Sequence, residues 1–368
     1  MDPKERSRAM DEYIAFDSHK HYTLAEREEV ETGRTKQTRI EHRRGALRGY
    51  LDDAAPGTPV AVEATGNWYW IVEEIEQAGC VPRLVHPRKA KMMMGMINKT
   101  DKLDVHGLNR LQRTGTLPTV WIPPGRLRDL RELTRGRMVL VAMRTRVKNR
   151  LTATLAKYGL RVEGVSDAYG RRGREQWPRL LALLPPETRW GAEQFWELLD
   201  CLEERIAAYE DRIEDLVQET PGMRLLRSLP GVGFILAATI ALEVGRIERF
   251  PTDEHLASYA GTTPRVHASG GKVRYGPLRP DVNRTLKWAF AEAANSVAVN
   301  HIRCPERSVS RLYRRLRRRK GHAKAIGAVA RRLAEATWHV WSREEPYRDR
   351  IQGRGKRDTV MSPSRLAE

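Results

Sequence analysis

The sequence predicts an α/β domain at the N-terminus, a long helical region after it, and a mostly α-helical domain at the C-terminus. Three observations predict this order: short apolar runs alternate with amphipathic stretches early in the chain, an apolar heptad repeat occupies its middle, and helical patterns broken by glycine-rich turns follow. We place the domains at residues 1–125, 126–220 and 221–346, and we expect residues 347–368 to form a disordered tail.

The N-terminal region has the pattern of a mixed sheet flanked by helices. Residues 12–20 predict a strand, with antiparallel neighbours in HYTLAERE and KQTRIEH. The stretch RRGALRGYLDDA predicts a helix, and a second helix, WYWIVEEIEQAG, separates two further strands, TPVAVEATG and VPRLVHP. Three strands followed by alternating helix and strand are typical of a sheet with both parallel and antiparallel pairs.

The middle of the chain predicts two long helices. The first is basic and extends from Arg126 to about Leu160, and a loop rich in Gly, Arg and Pro separates it from the second. Apolar residues of the second helix recur at spacings of four and three, as in a coiled-coil seam or the stripe of a core helix. Charged residues between them favour the coiled coil, and the sequence does not identify the helix with which it pairs. The seam residues are Phe195, Leu199, Leu202, Ile206, Tyr209, Ile213 and Leu216.

The C-terminal region begins with a Gly-x-Gly turn between two helical segments. The turn contains Gly231 and Gly233, and it resembles a helix-hairpin-helix element, whose backbone amides can approach a phosphate. A plain packing joint between helices would have the same pattern. Residues 263–283 are broken by glycine and proline and predict a loop, and helices are expected from Arg284 onward.

The charge of the chain indicates a polyanionic partner. Its 66 Lys and Arg residues outnumber 47 Asp and Glu residues, which gives a formal net charge of +19. The basic residues are densest in RRLRRRKG, where clustered guanidinium groups suit phosphate backbones, although such a run can also be only a solvated face. The predicted phosphate contacts in this segment are Arg314, Arg315, Arg317, Arg318, Arg319 and Lys320.

The positive charge of the chain is better explained by binding to nucleic acid than by binding to a membrane. No apolar run approaches the roughly 20 residues that span a bilayer, and the N-terminus MDPKERSRAMDEY is too polar for a signal peptide. Cys80, Cys201 and Cys304 are few and far apart, so neither a disulfide framework nor a cysteine-rich zinc site is indicated. We therefore expect a cytoplasmic protein associated with the nucleoid.

Four acidic residues stand at positions that a sheet would bring together. Asp17 ends the first predicted strand, Glu63 ends the strand VAVEATG, and Asp101 and Asp104 lie one turn apart at the start of a later helix that Thr100 could cap. Acidic residues are also common at helix N-termini without any ligand. Carboxylates at the carboxyl ends of neighbouring strands converge, and their repulsion is relieved by Mg²⁺ or Mn²⁺.

These motifs together resemble a known family. YIAFD, VEATG and NKTDKLDVHGL resemble the DEDD set of insertion-sequence transposases whose N-terminal domain is RuvC-like, with a ribonuclease-H type fold. LPGVG and LASYAGTTPRVHASGG resemble the C-terminal transposase domain of that family. The resemblance covers about residues 12–345 in the family's order and implies that Asp17, Glu63, Asp101 and Asp104 bind the metal.

The resemblance also implies a nucleophile and partners. Ser269 in HASGG matches the serine that forms a covalent ester with DNA, and Arg265, Lys272 and Arg274 would offset phosphate charge around it. The family is guided by a structured bridge RNA that pairs with donor and target DNA. It acts as a tetramer, a dimer of dimers, with composite active sites between subunits.

Two departures and two rival interpretations remain. Ala15 replaces the glycine usual two residues before the first aspartate, and the loop SGGKVRYG lacks the extra serines of some relatives. A junction-type endonuclease using the four acids and water would leave Ser269 incidental. A non-catalytic nucleic-acid-binding protein would need neither the metal site nor the serine. The presence of the four acids and Ser269 counts against that interpretation.

Overall fold

A computed structural model describes residues 12–95, 100–278 and 282–349. The chain divides into two compact units, of which the first ends at Pro123 and the second begins at Pro124. The first unit is α/β and the second is mostly helical, which confirms the predicted fold classes. The predicted boundary at residue 220 stays a prediction.

The first unit is built on a five-stranded mixed sheet with the order β3-β2-β1-β4-β5. Its strands are β1 (Glu12–Ser18), β2 (Tyr22–Glu29), β3 (Thr35–Glu41), β4 (Pro59–Glu63) and β5 (Val81–Val85). The first three strands pair antiparallel, whereas β1 pairs with β4 and β4 with β5 in parallel. Each predicted strand is present, with ends that differ by at most three residues.

Helices cover both faces of this sheet. The helices are α1 (Ala46–Leu51), α2 (Trp68–Gln77), α3 (Pro87–Met94) and α4 (Asp101–Arg113). Alternate residues of a strand point to opposite faces, so Phe16 and Val62 pack with α1 and α2, while Ala15 and Ala61 pack with α3 and α4. This alternation determines which acids share a face.

The second unit begins with two long antiparallel helices, α5 (Gly125–Lys157) and α8 (Pro186–Leu216). Two short helices, α6 (Arg171–Arg174) and α7 (Trp177–Ala182), lie between them in the chain. Lys148 pairs with Glu203 at 3.1 Å, and the Tyr158 hydroxyl lies 2.9 Å from that of Thr188 near the other end, so the helices have opposite directions. The predicted seam residues are buried or half-buried; their coiled-coil packing stays a prediction.

The remaining helices share one core. They are α9 (Pro221–Leu226), α10 (Phe234–Val244), α11 (Asp253–Tyr259), α12 (Arg284–Asn300), α13 (Ser308–Lys320) and α14 (His322–Ser342), with a 3-10 turn at Ile247–Arg249. The core includes fully buried Leu256, Phe290 and Leu333. Helix α12 begins at Arg284, as predicted.

The loop predicted over residues 263–283 is wrong for most of its length. Strands β6 (Pro264–Ser269) and β7 (Lys272–Leu278) form an antiparallel hairpin, called here the serine hairpin. Gly270 and Gly271 form its turn with φ of +55° and +74°, a conformation that suits a two-residue hairpin connection. Glycine breaks helices and strands in their interior, but this pair makes the turn that lets the flanking residues form two paired strands.

Residues 347–349, at the start of the predicted tail, contact the rest of the second unit. The backbone amide of Tyr347 donates to the hydroxyl of Ser228 at 2.7 Å, and Asp349 accepts from the amide of Ser308 at 3.0 Å. Residues 350–368 lie outside the described residues, as do residues 96–99, which contain the start of the NKTD motif. None of the described helices has the length and apolar character that crossing a membrane requires.

Candidate metal centre and nucleic-acid surfaces

Two parallel strands bring Asp17 and Glu63 to one edge of the sheet. Phe16 of β1 is in register with Val62 of β4, so Asp17 and Glu63 come next on their strands, at the carboxyl end of each. Their positions alternate with Phe16 and Val62, which places both on the face that α4 covers. Asp17 is 8% exposed, so this carboxylate is held mostly out of water.

Helix α4 supplies the third acid from its N-terminus. The Thr100 hydroxyl accepts a hydrogen bond from the amide of Leu103 at 3.3 Å, which is the predicted N-cap. Val105 and Leu108 bury the helix against Ala15 and Ala61 of the sheet. The cap and this packing together fix Asp101 in the first turn, above the edge where β1 ends.

A histidine lies between two of the carboxylates. The Nε2 atom of His19 is 3.3 Å from Oδ2 of Asp17 and 3.3 Å from Oδ2 of Asp101. One donor atom from each of these three residues lies within 4.8 Å of the other two, a spacing that allows all three to share one ion. The structure therefore brings together Asp17 and Asp101, as predicted, and adds His19.

An aromatic residue orients Asp101. The hydroxyl of Tyr22 donates to Oδ2 of Asp101 at 2.9 Å, and the ring of Tyr22 lies 4.6 Å from that of His19. The hydrogen bond to Asp101 raises the pKa of the Tyr22 hydroxyl, since the bond is lost when the phenol ionises. The guanidinium of Arg39 lies over the ring of Tyr22, 3.6 Å from its centroid. Such outer contacts hold a ligand in place.

The other two predicted acids are not within this group. Glu63 and Asp104 are half-buried, and neither joins the three residues at that distance in the part of the chain that the structure describes. Glu63 is at the neighbouring strand end, and Asp104 is one helical turn beyond Asp101. Their role as metal ligands stays a prediction.

His19 is absent from the residues predicted from sequence, because the prediction was built on the carboxylates alone. The signal was present in the spacing. His19 lies two residues after Asp17, and residues two apart in an extended segment point the same way. What spacing could not give was the approach of Asp101 from a helix more than 80 residues away.

The serine hairpin has two different faces. Ser269 is opposite Lys272 and His267 is opposite Arg274, so these four residues share one face beside the turn. Val266 is opposite Tyr275 on the other face, where they are 57% and 72% exposed. Ser269 thus lies at an exposed tip among cationic side chains, and Arg265 lies farther along the same exposed strand.

The Gly-x-Gly turn has a packing role at its first glycine. Gly231 has φ +81°, and a Cβ there would lie 2.4 Å from the carbonyl oxygen of Ala293. Gly233 has no neighbour within 4 Å of such a Cβ and precedes the first residue of α10. The turn borders a cavity of about 600 Å³ that Arg227 and Arg307 also line. Phosphate contact by the turn stays a prediction.

Helix α13 presents the predicted basic cluster. Tyr313 and Val309 are buried in the core of the second unit, while Arg315, Lys320 and the arginines 317–319 are exposed. A cavity of about 440 Å³ on this surface is lined by Arg311, Arg314, Arg315, Arg318 and Arg319. A groove lined by arginines alone suits a polyanion backbone.

Two family models match this chain. Residues 14–159 match the DEDD_Tnp_IS110 model, which is described as "Transposase". Residues 223–311 match a model described as "Transposase IS116/IS110/IS902 family". The first match includes all four predicted acids, and the second includes the Gly-x-Gly turn and the serine hairpin.

Curated relatives extend over most of the chain. A "Probable family 20 transposase" of Pseudomonas aeruginosa is 27% identical in an alignment of 321 residues that covers 83% of this chain and 90% of that protein. The "Transposase for insertion sequence element IS1111A" of Coxiella burnetii is 24% identical, over 78% of this chain and 79% of the relative. Both similarities extend across the two units.

Proposed function

Because the chain belongs to the IS110/IS116/IS902 family of insertion-sequence transposases, we propose that it cuts and rejoins DNA with a divalent cation at the sheet edge and Ser269 as the nucleophile. The convergence of Asp17 and Asp101 carries this proposal. It places negative charge from distant parts of the first unit at one point, where a cation would offset the repulsion.

The donor set fits such an ion. Asp17 and Asp101 offer carboxylate oxygens. Glu63 at the end of the neighbouring strand and Asp104 one helical turn beyond Asp101 are the further carboxylates that we propose as ligands. Oxygen ligands suit Mg²⁺ or Mn²⁺. When bound, the cation would neutralise charge on the phosphodiester and favour loss of the proton from a nucleophilic hydroxyl.

The serine hairpin supplies the groups for covalent chemistry. The Ser269 oxygen would form a bond to phosphorus while the bond from phosphorus to one strand oxygen breaks. The serine proton is lost to solvent, and the departing strand oxygen gains a proton. Lys272 and Arg274, on the same face, would hold the phosphate. Attack by another strand's hydroxyl then restores both the serine and a phosphodiester.

The nucleic-acid partners are donor DNA, target DNA and a structured bridge RNA. The arginine-lined cavity on α13 supports binding of a polyanion. The guide RNA and the tetramer are proposed from the resemblance to the family. Such a protein would act on DNA in the bacterial cytoplasm. Size measurement of the protein with and without its RNA tests the assembly.

The experiment is capture of the covalent intermediate. End-labelled substrate DNA is incubated with the full-length protein, guide RNA and Mg²⁺, denatured, and analysed for label that travels with protein. We expect an adduct with wild type and none with Ser269→Ala, while Ser258→Ala, a half-buried serine of α11, keeps it. Cleavage without any adduct would instead identify a hydrolytic endonuclease, and an adduct on Ser269→Ala would move the nucleophile elsewhere.

A further inference from the structure

The side chain of His19 has chemistry that the four predicted acids do not supply. Its Nε2 is shielded from solvent and has no hydrogen-bond partner among the described residues, although the side chain as a whole is 32% exposed. A shielded ring nitrogen without a partner costs free energy unless something else satisfies it. Its two neighbours at 3.3 Å are oxygens of the residues assigned to the metal.

The three donor atoms have the spacing of ligands around one ion. Ligands bound at about 2.1 Å and at right angles to one another are roughly 3 Å apart. The two contacts of Nε2, at 3.3 Å each, are close to that separation. A hydrogen-bonded imidazole would instead align one N–H with a single carboxylate oxygen.

We infer that His19 is a metal ligand, so that the centre holds its cation through an imidazole nitrogen as well as carboxylate oxygens. This inference rests on the proposed function. The ring would be neutral, with the lone pair of Nε2 directed to the ion. The 4.6 Å contact with the Tyr22 ring, which itself holds Asp101, keeps the imidazole in that orientation.

A nitrogen ligand changes which cation the site prefers. Mg²⁺ binds oxygen almost exclusively and keeps much of its water, whereas transition metals accept imidazole readily. The ligand set of Asp17, Asp101 and His19 therefore favours Mn²⁺ over Mg²⁺ more than a site of four carboxylates would. The role differs from that of a positioning residue, because the ring nitrogen itself contacts the ion.

The test is electron spin-echo spectroscopy of Mn²⁺ bound to the full-length protein. The ¹⁴N nucleus of a directly bound imidazole couples to the manganese electrons and modulates the echo. Labelling the histidines with ¹⁵N replaces the ¹⁴N frequencies with those of ¹⁵N, which identifies histidine as the source. We expect the modulation in wild type and in His21→Ala, an exposed neighbour, and its loss in His19→Ala. We also expect His19→Ala to weaken Mn²⁺ binding by about tenfold or more and Mg²⁺ binding less.

The outcomes separate the two proposals. Bound Mn²⁺ without nitrogen modulation in wild type, or with modulation that persists in His19→Ala, overturns His19 as a ligand while the acidic site stands. Unchanged Mn²⁺ affinity in Asp17→Asn shows that the ion is bound elsewhere, and both the ligand assignment and the proposed metal site fail. Circular dichroism of each variant checks that the fold is kept.

Discussion

The sheet edge of the first unit and the serine hairpin of the second unit are built in opposite ways. At the sheet edge, Asp17 is nearly buried, and its neighbour Asp101 is held by a helix cap and a tyrosine hydroxyl. In the hairpin, both strands are exposed and the sheet has only two strands. One site is acidic and partly buried, and the other is cationic and exposed.

The difference indicates which part of the reaction needs fixed geometry. A metal centre depends on ligands held to within a fraction of an ångström, which buried strands and helices provide. A two-stranded hairpin is marginally stable in water by itself, and this one also exposes Val266, Val273 and Tyr275. We expect the hairpin to become ordered against its nucleic-acid substrate, whereas the sheet edge is formed beforehand.

The strongest test of the comparison is removal of one charge from the sheet edge. Asp17→Asn should lower DNA cleavage by about a thousandfold or more, because several kcal/mol of metal-dependent stabilisation are lost. The metal-free protein should be as stable as wild type or more so, since repulsion with Asp101 falls. Cleavage rates and thermal unfolding measure the two effects, with Asp52→Asn as the exposed control. Cleavage near the wild-type rate would exclude Asp17 as a ligand.

Gly231 and Gly271 have similar φ angles but lie in the packed core and in the exposed hairpin, so the same substitution at each compares the two regions. Gly231→Ala should lower the free energy of unfolding by roughly 2–4 kcal/mol, because a Cβ would meet the Ala293 carbonyl at 2.4 Å in addition to the strain of φ +81°. Gly271→Ala, at φ +74° with nothing within 4 Å, should strain the hairpin turn and reduce adduct formation. The melting temperature should stay almost unchanged, because the exposed hairpin lies outside the buried core of the second unit.

Gly233→Ala is the matched control for this pair, since its φ of −87° is ordinary and its surroundings are open. We expect its stability to stay within about 1 kcal/mol of wild type. A melting temperature lowered equally by Gly231→Ala and Gly271→Ala would mean that the hairpin belongs to the cooperative core, against the comparison drawn above.

The basic cluster of α13 is a second exposed cationic surface, and we expect it to contribute to nucleic-acid binding. Changing Arg317, Arg318 and Arg319 together to Gln should weaken nucleic-acid binding and reduce the slope of log affinity against log salt by about one per lost phosphate contact. Fluorescence titrations at several salt concentrations give the slope. A control triple change of Arg171, Arg172 and Arg179 removes the same charge elsewhere. An unchanged slope would show that α13 is a solvated face.

The smallest effect is expected from the tyrosine beside the metal centre. Tyr22→Phe removes the hydroxyl that donates to Asp101 and should lower Mg²⁺ affinity by about tenfold. Calorimetric titration measures this, and Tyr13→Phe, on the same strand pair, is the control. Equal affinity in Tyr22→Phe and wild type would mean that the helix cap and the packing of α4 fix Asp101 without the tyrosine.

The local features of this protein were determined by its sequence. Alternation and apolar runs placed Asp17 and Glu63 at strand ends, and Thr100 before an acidic first turn marked the start of α4. Such features depend on residues a few positions apart, and propensity and capping act at that range. The glycine pair of the serine hairpin is an equally local signal, because two glycines between alternating residues are typical of a two-residue hairpin turn.

Only the tertiary structure decided which of these features meet. Strand register puts Asp17 beside Glu63, and packing of α4 against Ala15 and Ala61 brings Asp101 to His19. The same holds for Gly231, whose neighbour Ala293 is remote in sequence. These contacts arise from burial of apolar faces between distant segments, and no pattern within a single segment specifies its partner.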